Sequence, residues 1–435
     1  MKKTMLILLA LLLTVGICLL TGCEQADPYQ FKSSELANYV IVYANDDPDY
    51  FELANRLSDR IYEKYGVMLT TVPDVVATPQ KHEIILGDTI QDNRYNMVMT
   101  YSVAVGDGKF KINVGGAYSA EKAVEFLCQN VFNGKELILD SGLYYSKSLM
   151  TKKYEMTEGA SARIMSSNIL ADTFADDAYK SASYRAEIFA GMLVACTPDV
   201  VGLQEMDKFW NEALDRYLVK LEKAHGLTYA RCLDTHEGKL NYTALLYRAD
   251  KLTVEDSGVN AFSWWTDSAF GHDYHMRNIS WVQFSSWERT GERFIVANTH
   301  WSYRTEHADG KTYLAGSGKP IATDELRVQC KDETSRFLTA LRQSHPGIPI
   351  VMTGDFNTSL SLFTDSGWAP TGFRVISEEA RSNGVSESNI PVSGHYDHLF
   401  GTGAYTIKKY AFLKNVNQLE LLTDHPFVYA DFAFA

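Results

Sequence analysis

The sequence predicts an α/β protein in which a small α+β domain precedes a larger domain with two sheets and covering helices. Three observations lead to this prediction: apolar runs of strand length recur along the chain, stretches with helical spacing of apolar residues alternate with them, and glycine-rich turns separate them. The chain has 435 residues, of which 46% are hydrophobic and 22% charged, as is typical of a globular protein. This length suits two or three domains at roughly 150 residues each.

The first residues have the pattern of a bacterial secretion signal. Two lysines precede an almost uncharged apolar run over residues 5–20, which is shorter than the ~20 residues that a membrane-spanning helix needs. The run leads into Leu-Thr-Gly-Cys, ending at Cys23, which resembles the lipobox of bacterial lipoproteins. We therefore predict a signal peptide over 1–22 and a lipidated tether over 23–35, which make the protein extracytoplasmic and lipid-anchored to the bacterial cell membrane. The alternative is an uncleaved anchor with an incidental cysteine.

Residues 36–150 are predicted to form the small α+β domain. Two segments within it, 50–65 and 120–132, carry apolar residues at helical spacing, and strand-like runs lie between them. Gly106-Asp107-Gly108 separates two of these runs and indicates a β-hairpin. The domain resembles, weakly, accessory domains beside bacterial carbohydrate-active enzymes. Because it contains no catalytic constellation, we interpret it as a helper or spacer.

Residues 155–435 are predicted to form the larger domain, in which strands and helices alternate. Helical spacing of apolar residues marks 184–194, 207–224 and 324–343. Apolar or β-branched runs predict strands at 162–170, 199–205, 243–247, 279–284, 294–299, 348–353, 396–400 and 427–434.

Polar and ionisable residues fall where six of these apolar runs begin or end. Taken singly, Gly-Asp-Phe-Asn is more often a turn and Asp-His a surface pair, but six such motifs in one domain make coincidence a poor explanation. Side chains at adjacent strand ends converge on one rim of a sheet, where carboxylate and amide oxygens suit Mg²⁺ or Mn²⁺ and histidines transfer protons. The motifs contain Asn168, Glu205, His300, Asp355 with Asn357, Asp397, and Asp424 with His425.

In order and spacing, these motifs resemble those of the endonuclease/exonuclease/phosphatase superfamily of metal-dependent phosphoesterases. The resemblance covers about residues 160–435. It implies a four-layered α/β sandwich, in which two mixed β-sheets pack face to face and helices cover the outside. Because a fold does not determine a substrate, the resemblance implies phosphoester hydrolysis more firmly than any one substrate. The matching residues are Asn168, Leu203-Gln204-Glu205, Asn298-Thr299-His300, Gly354-Asp355-Phe356-Asn357, Tyr396-Asp397-His398 and Thr423-Asp424-His425.

The resemblance implies a Mg²⁺ or Mn²⁺ cofactor and a ligand set for it. Glu205 is similar to the principal metal ligand of the family. Asn168 and Asp424 are similar to residues that complete the metal shell or hold its waters. Some abasic-site enzymes of the family have an Asp two residues after the asparagine, whereas Ile and Leu follow Asn168 here. This departure weakens the case for a second metal.

The resemblance also implies catalytic roles. Asp355 is similar to the carboxylate that orients or deprotonates the attacking water, and Asn357 to a residue that holds a phosphate oxygen. His425 resembles the histidine that contacts the scissile phosphate, with Asp397 fixing its tautomer. His300 is similar to a second histidine that assists the leaving oxygen. A metal ion and a charged histidine would stabilise charge that develops on phosphoester oxygens.

The remaining candidates are one histidine, two arginines and one tryptophan. His398 follows the catalytic Asp397, and we interpret it as structural rather than catalytic. Arg248 and Arg277 are candidates for contacting a substrate phosphate, with pairing to a carboxylate as the slightly favoured alternative. Trp301 is a substrate-binding candidate at the start of the predicted insertion 301–323. Insertions at 261–278 and 382–394 are also expected to shape specificity.

Charge and cysteine content narrow the function. The chain carries 54 Asp and Glu against 41 Lys and Arg, and this acidic excess disfavours nucleic acid as a partner. A small phosphorylated or phosphodiester substrate fits better, with an extracellular nuclease as the first alternative and a non-catalytic surface-binding lipoprotein as the second. Cys128, Cys196, Cys232 and Cys330 form no metal-binding spacing, so we expect buried free thiols.

Overall fold

The computed structural model describes residues 33–435 apart from 90–95, 107, 135–143, 176–177, 264–273, 276, 303–311, 314–319, 322, 365–371 and 388–394. The chain forms two compact units. The second comprises Ser148–Ala435 with the segments Arg94–Thr100 and Gly115–Ser119, and the first comprises the other residues up to Lys147. The predicted lipidation site, Cys23, lies outside the described residues.

The N-terminal part of the chain contributes six strands and two helices. They are β1 (Val40–Tyr43), α1 (Asp49–Tyr65), β2 (Thr70–Pro73), β3 (Glu83–Leu86), β4 (Thr100–Gly106), β5 (Lys109–Val114), α2 (Ala117–Phe126) and β6 (Tyr144–Ser148). The strands form one sheet in the order β2-β1-β3-β5-β4-β6. The pairs β1–β2, β1–β3 and β3–β5 are parallel, and β4 and β5 form the predicted antiparallel hairpin.

Helix α1 shows how local sequence sets the elements of the first unit. Its apolar residues recur at helical spacing, and Leu53, Leu57 and Ile61 are buried. The helix ends at Gly66, which adopts a left-handed conformation with φ of 71° and donates its N–H to the carbonyl of Tyr62 at 2.8 Å. Glycine adopts this conformation without a steric cost, so the helix stops where the sequence predicts.

The second unit contributes the remaining elements. The helices are α3 (Ala182–Cys196), α4 (Lys208–His225), α5 (Thr323–Ser344), α6 (Ser361–Thr364) and α7 (Ile376–Ser382). The strands are β7 (Ala162–Asn168), β8 (Val200–Gln204), β9 (Tyr229–Cys232), β10 (Thr235–His236), β11 (Lys239–Asn241), β12 (Leu245–Arg248), β13 (Leu252–Ala261), β14 (Tyr274–His275), β15 (Asn278–Ser286), β16 (Arg293–His300), β17 (Thr312–Tyr313), β18 (Pro320–Ile321), β19 (Ile350–Asp355), β20 (Arg374–Val375), β21 (Asp397–Thr402), β22 (Tyr405–Leu413) and β23 (Phe427–Phe434).

Two mixed six-stranded sheets of the second unit form a four-layered α/β sandwich, as the sequence predicts. Their strand orders are β22-β23-β7-β8-β12-β9 and β13-β15-β16-β19-β21-β20. One apolar cluster lies between the sheets and draws on both, for example Ile164 and Val200 from one and Val296 and Val351 from the other. A second cluster joins the first sheet to α3 and α4, and a third joins the second sheet to α5. Helices therefore cover both outer faces.

Polar side chains also connect the two sheets near the ends of β8 and β16. Gln204 Nε2 donates to Asn298 Oδ1 at 2.6 Å, and Asn298 Nδ2 donates to the carbonyl of Leu203 at 2.6 Å. Thr353 Oγ1 also donates to Asn298 Oδ1, at 2.9 Å. The sheets approach so closely here that a Cβ on Gly202 would overlap with Thr353 Oγ1. These bonds fix the spacing of the sheets beneath their polar rim.

Two findings bear on the predictions about cysteines and membranes. Cys196 and Cys330 are buried, Cys128 and Cys232 are partly buried, and all four are free thiols, as expected. Within the described ranges, no helix combines the length and the hydropathy needed to cross a bilayer.

Candidate active site

The alternation of side chains along a strand brings the predicted site residues to one space. Ile164, Val296, Val351 and Leu399 all point into the core between the two sheets. Because side chains two or four residues away on the same strand lie on that same face, the ends of β7, β16 and β19 and the start of β21 present inward side chains. These four residues are Asn168, His300, Asp355 and Asp397.

Strand register then aligns three of them across the second sheet. His300 pairs with Asp355 between the parallel strands β16 and β19, and Asp355 pairs with Asp397 between β19 and β21. On the facing sheet, Asn168 pairs with Gln204, and Glu205 follows directly after β8. The six-residue cluster is completed by His425, which precedes β23.

Asn168 connects the carboxylates of the two sheets. Its Nδ2 donates to Glu205 Oε1 at 3.0 Å and to Asp355 Oδ2 at 3.1 Å. Its Oδ1 accepts the N–H of Leu170 at 3.0 Å, and this bond determines which way the amide faces. The amide nitrogen of Asn168 thus faces the cluster and contacts both carboxylates. The role that the resemblance implies for Asn168, completing the metal shell or holding its waters, stays a prediction.

The backbone around the cluster adopts unusual conformations. Leu170, Glu205 and Asn357 have φ values of 56°, 67° and 50°, in the left-handed region that non-glycine residues seldom adopt. Such conformations cost about 1–3 kcal/mol each and persist where surrounding contacts enforce them, which is common at functional sites. At Glu205, the turn directs the carboxylate back toward the rim, where Oε2 accepts the N–H of Ala171 at 2.9 Å.

His425, which is partly exposed, and the buried Asp397 form a dyad. His425 Nδ1 donates to Asp397 Oδ2 at 2.9 Å, and Nε2 lies 3.8 Å from Asp355 Oδ2. Burial would lower the pKa of His425, but the carboxylates of Asp397 and Asp355 outweigh burial and raise it well above its ordinary value. Burial raises the pKa of Asp397 to about 6 against the effect of His425. At neutral pH the dyad is therefore a histidine cation on a carboxylate, with Nε2 directed at the cluster.

Asp355 lies at the centre of the cluster. His300 Nε2 is 3.4 Å from Asp355 Oδ2 and 4.0 Å from Glu205 Oε1. Burial would raise the pKa of Asp355, but the neighbouring His425 and His300 hold it below its ordinary value. The carboxylate is therefore ionised and acts as an acceptor. Its Oδ1 accepts the N–H of Asn357 at 2.9 Å, so Oδ2 is the oxygen that faces the rim.

The described residues contain two groups whose donor atoms lie close enough together to hold a metal ion. One comprises Glu205, His300 and Asp355, and the other Asp355, Asp397 and His425, with all donor atoms of a group within 4.8 Å of one another. In the first group, carboxylate oxygens from both sheets converge with a single amide donor between them. This set fits a hard divalent cation that keeps some water ligands. The second group is already occupied by the His425–Asp397 hydrogen bond.

Two predicted residues lie at the edge of the cluster. The side chain of Asp424 is 65% exposed, and its Oδ1 lies 3.9 Å from His425 Nε2. It therefore faces the mouth of the site rather than its buried interior. Asn357 Nδ2 donates to the carbonyl of Trp301 at 2.8 Å and lies 3.4 Å from Asp355 Oδ2. These bonds engage the amide nitrogen and link two strand ends, and the contact of Asn357 with a phosphate oxygen stays a prediction.

Two substrate-binding candidates, Arg248 and Trp301, have side chains that are engaged outside the cluster. Arg248 pairs with Asp250 at 2.5 Å and donates its backbone N–H to Asp199, at the opposite end of β8 from Glu205. Arg248 therefore pairs with a carboxylate, which is the favoured alternative for this residue. Trp301 is fully buried and packs against Phe356 and Phe363, so its ring is part of the core.

Arg277 is buried, and its charge acts on the pKa of Cys330 in α5. The insertions 261–278, 301–323 and 382–394 fall largely outside the described residues. His398 is buried among Phe356, Phe363 and Phe400, and its Nε2 donates to the carbonyl of Thr358 at 3.2 Å, in keeping with a structural role.

Sequence reasoning missed the residues that support the site. Asn298 and Gln204 belong to recognised motifs, but their function in joining the sheets depends on contacts between distant strands. Arg185 of α3 is fully buried and donates to carbonyls on two loops of the site. The available signal was that Arg185 lies in a helix rich in apolar residues, where a buried charge requires partners.

Comparison with known proteins agrees with this geometry. The profile of the Endonuclease/Exonuclease/phosphatase family matches residues 165–425. Human 2',5'-phosphodiesterase 12 is 27% identical over 276 residues, which cover 55% of this chain and 41% of that protein. The chain thus spans about two fifths of the length of that relative.

Solved structures with a similar fold share little sequence with this chain. An endonuclease/exonuclease/phosphatase from Bacteroides vulgatus is 20% identical, with a TM-score of 0.46, and covers 63% of this chain and 99% of its own. The human Nocturnin catalytic domain is 18% identical, with a TM-score of 0.45, and covers 63% and 94%. The family profile matches more than half of the chain, and the strand-end motifs that it covers converge in the fold. This protein belongs to the endonuclease/exonuclease/phosphatase family, whose members hydrolyse phosphoesters.

Proposed function

We propose that this protein is a Mg²⁺- or Mn²⁺-dependent phosphoesterase that hydrolyses phosphomonoester or phosphodiester bonds of a small phosphorylated substrate. The observation that carries the proposal is the convergence of Glu205 and Asp355 from facing sheets on one rim, beside the Nε2 atoms of His300 and His425. This is the combination of hard oxygen ligands and proton-transfer groups that phosphoester hydrolysis requires.

The side chains divide the chemistry among them. Glu205 and Asp355 would hold the ion, with Asn168 orienting both carboxylates. A bound divalent ion would stabilise negative charge on the phosphoester oxygens. Asp355 accepts a hydrogen bond from the attacking water and orients it. His425 presents a charged Nε2–H to the scissile phosphate, while Asp397 keeps the ring in place.

The remaining steps fall to His300 and to residues around the mouth. His300 Nε2 faces the same space and would assist the departing oxygen. Asp424 at the mouth would act through bound water. The described residues of the cluster contribute more carboxylates than cations, which favours a small substrate over a long polyanion.

A nuclease is the second candidate. A human relative that matches this chain is named a 2',5'-phosphodiesterase, which supports a phosphodiester of nucleotides as substrate. Against this, the chain has 54 acidic and 41 basic residues, whereas a groove for long nucleic acid requires a basic surface. A short oligonucleotide or dinucleotide reconciles both observations.

The test is an activity panel on the protein from Glu24 onward, with Mg²⁺, Mn²⁺ or EDTA. The substrates are bis-p-nitrophenyl phosphate, p-nitrophenyl phosphate, plasmid DNA, sphingomyelin and inositol phosphates. We expect metal-dependent turnover of a small mono- or diester and little cleavage of plasmid DNA. Preferential cleavage of plasmid DNA would support the nuclease. Tight binding without turnover on the whole panel would support a non-catalytic binding protein.

We propose that residues 36–150 form an accessory domain and residues 155–435 the catalytic domain. We also propose that residues 1–22 are a signal peptide and that the protein is held at the extracytoplasmic face through a lipid on Cys23. The support is the lipobox-like Leu-Thr-Gly-Cys after an apolar run. Labelled palmitate should enter the wild-type protein but not Cys23→Ser. Equal labelling of the two proteins would exclude Cys23 as the lipidation site.

A further inference from the structure

We propose that Arg185 is a positioning residue that holds two loops of the site in register and thereby orients Glu205. The metal-side loop is 169–172, which follows Asn168, and the histidine loop is 419–425, which ends at His425. Arg185 lies on α3 and touches neither the reacting groups nor the ligand atoms. The inference rests on the proposed function for its kinetic consequence, but the geometry that carries it is independent of any substrate.

The guanidinium of Arg185 is fully buried and bonds to both loops at once. Its Nη1 donates to the carbonyls of Leu170 at 2.7 Å and Ile169 at 3.1 Å in the metal-side loop. The same nitrogen donates to the carbonyl of Leu422 in the histidine loop at 3.1 Å. Its Nη2 pairs with Asp172 Oδ1 at 2.9 Å, and its Nε donates to the carbonyl of Lys180 at 2.9 Å. One rigid group therefore fixes three segments of backbone.

A single peptide group connects Arg185 to the metal-side carboxylate. The carbonyl of the Leu170–Ala171 peptide accepts from Arg185 and also from Trp210 Nε1 at 2.9 Å. The N–H of that same peptide donates to Glu205 Oε2 at 2.9 Å. Leu170 has a φ of 56°, so this peptide is held in an orientation that the chain alone does not favour. Arg185 and Trp210 thus determine where the N–H points and hence how Glu205 is turned.

The histidine loop depends on the same side chain. The carbonyl of Leu422 accepts from Arg185, and the N–H of that peptide, on Thr423, donates to the carbonyl of Leu419 at 3.2 Å. Thr423 Oγ1 in turn accepts the N–H of His425 at 3.2 Å. Arg185 therefore couples the position of His425 to that of Glu205. A lysine could keep the charge, but its single ammonium lacks the planar donor array that reaches all these acceptors.

The chain contains a matched control for the experiment. Arg163 on β7 is equally buried, also pairs with a carboxylate and also donates to several carbonyls, but it does so at the opposite end of β7 from Asn168. Both Arg185→Lys and Arg163→Lys should lower Tm. Only Arg185→Lys should lower kcat and weaken Mn²⁺ binding, each by roughly 10–100-fold, when compared at a temperature where all proteins are folded. Mn²⁺ binding is measured directly by calorimetric titration, without substrate.

A second variant covers the case in which Arg185→Lys does not fold. Trp210→Phe keeps a ring at that position but removes the N–H that holds the Leu170 carbonyl, so Mn²⁺ binding should weaken while the fold persists. Equal Mn²⁺ affinity in wild type, Arg185→Lys and Trp210→Phe overturns the inference even if the protein is an active phosphoesterase. Weaker Mn²⁺ binding in these variants upholds it even if no substrate on the panel is turned over, in which case the proposed function fails alone.

Discussion

Strand β7 has a buried polar cluster near each end, and the two clusters satisfy their charges in opposite ways. Near its start, Arg163 pairs with Asp431 at 2.6 Å, and the guanidinium also donates to the carbonyls of Tyr154, Glu155 and Cys196. Asp431 in turn accepts from the N–H and the hydroxyl of Thr157. Each donor of this cluster meets an acceptor, and both charged side chains are fully buried.

At the other end of β7, acceptors outnumber donors. Glu205 and Asp355 both accept from the amide nitrogen of Asn168. One carboxylate oxygen of Asp397 accepts from His425, and the other has no hydrogen-bond partner among the described residues. Buried carboxylates without enough donors are costly unless a cation joins them. The comparison teaches that a closed network of matched charges maintains the fold, whereas the excess of acceptors at the rim is where we propose that an ion and a substrate bind.

The strongest test of the contrast removes one carboxylate from the open cluster. Glu205→Gln keeps the size of the side chain but removes its charge, so kcat should fall about 10³-fold because charge stabilisation in the transition state is lost. Removing one of several clustered negative charges relieves their mutual repulsion. The Tm measured in EDTA should therefore not fall. A variant that retains turnover would show that Glu205 is not a metal ligand.

The corresponding change in the closed cluster should have the opposite consequence. Asp431→Asn leaves Arg163 as a buried charge without its carboxylate, so the free energy of unfolding should fall by about 3–5 kcal/mol. Urea denaturation measures this loss, and kcat per folded molecule should remain that of the wild type. A drop in kcat without a loss of stability would contradict the division between the two ends.

Within the open cluster, the dyad should matter less than the metal ligand. Asp397→Asn removes the charge that raises the pKa of His425, so that pKa should fall and kcat should decrease about 10²-fold. The pKa of His425 can be followed by NMR titration of its ring protons. An unchanged titration in Asp397→Asn would mean that the carboxylate does not govern the charge of His425.

A smaller effect concerns His398, which lies beside Asp397 but faces the apolar cluster. Burial lowers its pKa to about 3, so the unfolded chain binds a proton below pH 6.5 that the folded protein does not. Its contribution to stability is present above pH 6.5 and is lost as pH falls, amounting to about 2 kcal/mol between pH 7 and pH 5.

Urea denaturation in EDTA measures the unfolding free energy at pH 7 and at pH 5. The loss between these two pH values should be about 2 kcal/mol smaller in His398→Gln than in the wild type. If wild type and variant lose the same stability between these two pH values, His398 is not the buried neutral group that the structure indicates.

Sequence reasoning identified the buried strands better than the edge strands. Strands β8, β16 and β19 lie inside the sheets and have nearly continuous apolar runs. Strands β13 and β22, at the edges, were missed because one face meets solvent and polar residues interrupt the pattern. In the first unit, β2 was missed for the same reason, since it is a short, partly exposed edge strand.

The amino-acid sequence by itself determined the chemistry at the strand ends, the family and the order of the main elements, because alternation, helical spacing and turn residues act over a few neighbours. The tertiary structure decided which atoms face one another. The pairing of His300, Asp355 and Asp397 in one row depends on strand register. The turned amide of Asn168 and the joining of two loops by Arg185 depend on contacts between segments far apart in the chain. Register and long-range hydrogen bonds are collective properties of the packed sheets, so no local pattern specifies them.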